Sequence, residues 1–178
     1  MKRPAARRRG AAVRVVSPLH WVVYPALLCM AATLVLATPV RLFNLPPPEP
    51  IFPMVLAFAW PLIRPSMIGP IFLFFTGVFL DLELDNPLGL WTLALLGVYG
   101  VTLAARAFIV GQQLGVLFAW YAGLTTAAIL AAYAFMTIEA GVAPTIVGAI
   151  LQWLPTMMLF PLGYWLVQRF DDGDVRFR

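Results

Sequence analysis

Histidine and cysteine are nearly missing from this sequence, which holds one of each, His20 and Cys29. A single cysteine excludes a disulfide framework within the chain and a cysteine-rich metal site. Cys29 itself lies in an apolar run, where it reads as a small buried or lipid-facing residue. With one histidine and no acidic cluster inside the apolar stretches, the sequence lacks the ligands of a metal-dependent hydrolase. His20 beside Trp21 reads as an interfacial residue. A Ser/His protease is equally poorly supplied, because Ser17 and Ser66 both fall at loop edges. No glycine-rich loop of the phosphate-cradling type occurs. Charge is scarce as well. Charged residues make up 11% of the chain, against about 25% in soluble domains. That is too little polar surface to cover a globule in water.

What is abundant is apolar: 62% of the 178 residues are hydrophobic. The chain divides into a basic tail over 1–18, an apolar region over 19–167 and a charged tail over 168–178. Within the apolar region the runs are Leu19–Val40, Met54–Ile63, Ser66–Leu82, Leu88–Ala105, Leu114–Ile138 and Pro144–Val167. The longer ones suffice to cross about 30 Å of hydrocarbon as helices. The second and third are short, and they tilt or dip as a pair around Arg64-Pro65. Proline-rich Asn44–Pro53 is an extended connection, and Pro61 is expected to distort the end of the second run. A basic start before an apolar run can also be a secretory signal peptide, but the run is long and others follow it, which favours an uncleaved first helix. The expected fold is an all-α integral membrane bundle of about six transmembrane helices, forming one domain with both tails cytoplasmic.

Orientation follows from the cations. The net charge of +4 could suggest nucleic acid, yet the charges occupy the gaps between apolar runs, so the bilayer is the partner read here and nucleic acid is not. With six spans, eleven of the twelve Lys and Arg residues fall on one side and only Arg41 on the other. Such an excess marks the cytoplasmic face. Removing one span from the short pair destroys the asymmetry. Glu49, Glu83, Asp85 and Glu139 all fall outside.

Few residues stand out as chemistry. Asp81 lies near the outer end of the third run, where a carboxylate is costly, by about 2.5–3.5 kcal/mol at a helix centre and less near the interface. Three roles are open to it: snorkelling to the headgroups, accepting hydrogen bonds that lock helices or a loop, and handling protons or ions. Asp85 stands four residues on, the spacing of one helix face, but Asn86-Pro87 argues that the helix has ended before an aspartyl pair could form. Gly97, Gly100, Gly111, Gly115 and the ladder Ala127, Ala128, Ala131, Ala132 would allow close helix approach. Trp21 and Trp165 fit an inner aromatic belt and Trp91 an outer one, while Trp60, Trp120 and Trp153 read as packing residues. Gln152 reads as an interhelical hydrogen-bonding group. The other mid-span polar residues, Thr76, Thr92, Thr102, Thr125 and Thr126, are few.

The order of features over Pro50–Arg106 resembles the rod shape-determining protein MreD family. A proline-led short apolar helix carries an aromatic near its end, Trp60, and Pro65 follows. A glycine-containing helix closes in G-x-x-x-D-L, here Gly77, Asp81 and Leu82. A polar turn leads to Leu88-Gly89, and Tyr99 lies in the continuation. The stretch from Gln152-Trp153 to Arg169-Phe170 is similar to that family's C-terminus. The resemblance implies a non-catalytic subunit of the cell-elongation machinery, and the residues themselves suggest no cofactor or metal. Its implied partners are MreC, MreB, RodA and a class B penicillin-binding protein. It also implies a fold similar to the substrate-binding subunits of energy-coupling-factor vitamin transporters, so the alternative is a small solute-binding subunit of a transporter.

Overall fold

Apolar helices dominate the computed structural model, which describes residues 14–16, 19–37, 50–140, 145–171 and 175–177. A π-helical turn over Leu19–Val23 runs into α1 (Tyr24–Ala37). There follow α2 (Pro53–Ile63), α3 (Ile68–Glu83), α4 (Leu90–Ile109), α5 (Leu114–Ala140), α6 (Ile146–Met158) and α7 (Phe160–Asp171). The fold is an all-α membrane bundle. Three stretches, Leu90–Ile109, Leu114–Glu139 and Ile146–Phe170, are each long and apolar enough to cross a membrane. Most of the basic tail, Arg41, Glu49 and the proline-rich 44–49 lie outside the described residues.

The outward faces identify the solvent. Leu28, Phe108, Met67 and Ile138 are 70–85% exposed, and large bare side chains occur on every helix but Pro53–Ile63. Water would penalise such a surface heavily, whereas hydrocarbon does not.

The least expected element is α2. All but one of its eleven residues are buried, and it packs against α1, α3, α4 and α7. A helix of that length spans about 16 Å, roughly half of a hydrocarbon core. Its ends are tolerated because protein surrounds them. The backbone N–H of Ile51 donates to Thr156 Oγ1 at 3.0 Å, and the carbonyl of Leu62 accepts from Arg106 Nη2 at 3.4 Å. Pro61, expected to distort this end, leaves the helix intact through Ile63. Pro65 is what stops it, by holding Arg64 in the extended conformation (φ −154°, ψ 118°).

α3 presents a stripe of Gly69, Leu73, Thr76, Gly77, Leu80 and Asp81 to its neighbours, the spacing of one helical face. It packs most extensively on α4. α6 and α7 form one span broken at Leu159. Pro161 has no N–H to give the carbonyl of Met157, so the chain tightens there, with Leu159 N–H bonding Thr156 O at 3.2 Å. The sixth run is thus a helix interrupted at Leu159.

The tails depart from the all-helical pattern. β1 (Arg14–Val16) and β2 (Val175–Phe177) pair in parallel, with Val15 opposite Arg176. β1 lies just before the start of the first helix and β2 just after the end of the last, so these two segments meet at one end of the bundle. An even number of crossings satisfies that arrangement.

Candidate functional site: a carboxylate joining two helices

α4 begins with a deficit. Its N-cap position is Gly89, in the left-handed region at φ +103°, which offers no side chain to the free N–H groups of the first turn. Asp81, in the last turn of α3, supplies the acceptor. Its Oδ1 accepts from Trp91 N–H at 2.7 Å. Its Oδ2 accepts from Gly89 N–H at 2.9 Å and from Thr92 Oγ1 at 3.0 Å. The carboxylate is 1% exposed and stands at the positive end of the α4 dipole, where negative charge is favoured. The Asp81 carbonyl also accepts from Asn86 N–H at 2.9 Å, so both its main chain and its side chain hold the turn.

One helical turn earlier, Gly77 brings the backbones together. A Cβ at this position would lie 2.5 Å from Thr92 Cα and 2.8 Å from Thr92 N, which are backbone atoms that cannot swing aside. Gly77 and Asp81 share a face of α3, four residues apart, and both meet Thr92. Close approach and capping therefore act on the same residue.

Asp85 does not join Asp81. α3 has ended at Glu83, and Asp85 is exposed in the turn at φ +52°. Among the described residues no group of three or more His, Cys, Asp or Glu side chains is arranged to hold a metal ion.

The remaining residues singled out by sequence fall elsewhere. Trp60, Pro65 and Tyr99 gather at the opposite end of α3. The Tyr99 hydroxyl donates to Ser66 O at 3.0 Å, and its ring lies 3.1 Å from where a Gly69 Cβ would stand. Trp60 is fully buried and its indole N–H donates to Trp21 O at 3.1 Å. Leu88, expected to open the next helix, precedes α4 and is 70% exposed. Gln152 makes no side-chain hydrogen bond among the described residues. The interhelical polar links beside it run instead from Trp153 Nε1 to Thr126 Oγ1 at 2.9 Å and from the Tyr121 hydroxyl to Thr156 O at 2.8 Å.

Two further expectations are corrected. Trp21 and Trp91 are each 2% exposed and so belong to the interior, not to aromatic belts. Among the described residues no atom lies within 4 Å of a Cβ added at Gly97, Gly100 or Gly115, so these glycines mark no close approach there. Gly111 is explained by its φ of +81° at the end of α4.

The chain matches no family model, no curated protein and no solved structure.

Thr92 and Trp91 are the members of the site that sequence reasoning missed. The cap of a helix is sought in the residue before it, and here it comes from eight to eleven residues upstream. The available signal was the pairing of a costly carboxylate with a downstream helix that starts without a capping side chain.

Proposed function

We propose that the protein is a non-catalytic, multi-pass subunit of the bacterial inner membrane. It serves the cell-elongation complex by holding its members together, as the resemblance to the MreD family implies. The observation that carries this reading is how Asp81 is used. Its two oxygens accept three hydrogen bonds from the start of α4, so the one carboxylate of the G-x-x-x-D-L pattern is committed to joining helices. Three of the threonines that a solute site at mid-depth would draw on are committed as well. Thr76, Thr102 and Thr126 each donate to the carbonyl four residues back in their own helix, at 2.6–2.7 Å. With six spans and the paired tails in the cytoplasm, the basic excess lies on the side the positive-inside rule requires.

Depletion of the protein from its host tests this reading. Loss of rod shape, together with recovery of MreC, RodA or the class B penicillin-binding protein alongside it in mild detergent, is the expected result. Unchanged cell shape on depletion overturns the reading. A bound small solute with no wall-synthesis partner points to the transport subunit instead.

A further inference from the structure

α1 and α7 stand apart, each resting on α2. The gap between them is a groove of about 330 Å³, walled by Leu28 and Ala32 of α1 and by Leu162 and Leu166 of α7, with Val55 and Leu56 of α2 as its floor. Along α7 it runs from Leu159 to Phe170, about 16 Å at the helical rise. One leaflet of a hydrocarbon core is about 15 Å thick. The groove has the length of an acyl chain in one leaflet.

One end of the groove carries different chemistry. Arg169 lines it and lies over the Trp165 ring, 5.2 Å from the centroid. Trp165 is 54% exposed and Tyr24, on the opposite wall, 58%. Exposed aromatics of this kind sit at headgroup level. Arg169 makes no hydrogen bond or ion pair among the described residues. Its planar fork of N–H donors matches phosphate geometry.

We propose that this groove holds one phospholipid from the leaflet on the side of the chain ends. An acyl chain lies on α2 and the headgroup phosphate on Arg169, with anionic lipid preferred. The site depends on the membrane placement of the chain and not on its role in cell elongation, so either idea can fail alone.

Native mass spectrometry of the full-length protein, released from nanodiscs of mixed phosphatidylethanolamine and phosphatidylglycerol, tests the proposal. Wild type should retain one phospholipid, enriched in phosphatidylglycerol by about fivefold, the preference that one interfacial arginine supplies. Arg169→Gln, an exposed change that leaves packing alone, should keep a bound lipid and lose the enrichment. Ala32→Phe fills the groove and should lose the lipid at least tenfold, with helical content and elution volume confirming that it folds. An unaltered preference in Arg169→Gln refutes the headgroup assignment on its own, even if Ala32→Phe fails to fold. Wild type that carries no lipid, or a polypeptide crosslinked into the groove in its place, overturns the proposal outright.

Discussion

Replacing Asp81 with asparagine and with leucine separates the capping role from every role that needs a charge. Asparagine keeps one acceptor oxygen, which can still take Trp91 N–H. The Thr92 hydroxyl can reverse and accept from the new amide, so the unavoidable loss is the bond from Gly89 N–H and the charge at the helix terminus. Together these amount to about 1–2 kcal/mol. Leucine removes all three bonds and strands two backbone donors and a hydroxyl in an apolar setting, at about 3–5 kcal/mol once partial relaxation is allowed. Denaturation in mixed detergent micelles should therefore rank wild type above Asp81→Asn and Asp81→Leu well below both. Complementation of a depletion strain should follow the same order. Asp81→Leu as stable as wild type would refute the cap. Equal loss of function in both variants, at unequal stability, would mean that the charge itself is used.

Three further outcomes follow from the geometry around this site and from the paired tails. Gly77→Ala drives a methyl group into the Thr92 backbone and should cost about 1–3 kcal/mol or more, whereas Gly97→Ala, facing open space, should stay within about 0.5 kcal/mol; the same detergent unfolding assay compares them. At Gly89 the demand is conformational: its Cβ would meet nothing within 4 Å, but φ is +103°. Gly89→Ala should lose about 1–2 kcal/mol, with Gly89→Asn milder because asparagine visits that region more readily, and a larger loss in Gly89→Asn than in Gly89→Ala would show that side-chain volume is what matters. In a Cys29→Ala background, Gln112→Cys and Asp85→Cys should react with an impermeant thiol reagent from opposite sides of the membrane, since they lie in the turns beyond opposite ends of α4; labelling from the same side would refute the crossing of that helix.

The helices were legible because long apolar runs punctuated by Arg64-Pro65, Asn86-Pro87 and Gly111 leave little else for the chain to form. Their inward faces were less so. Protein interior and lipid tails are equally apolar, so the composition of α2 could not distinguish a spanning helix from one enclosed by four others. Trp21 and Trp91 were misplaced for the same reason. Asp81 could be found because a carboxylate among apolar residues is costly wherever it points. What it would bind was harder, since its partners are main-chain N–H groups that every residue but proline carries. Glycine was the most ambiguous letter: Gly77 is there for contact and Gly89 for its dihedral angle, while Gly97 meets neither demand.

That the cap of α4 belongs to α3 also bears on how the chain enters the bilayer. A lone α3 would carry an unanswered carboxylate, and a lone α4 would begin with unanswered amide protons. Each is expensive in hydrocarbon and each removes the other's expense. The two helices are accordingly matched to partition from the translocation channel as a closed hairpin. The bonds by which Asp81 closes the tight turn between them come from α3 and α4 alone and need no later helix.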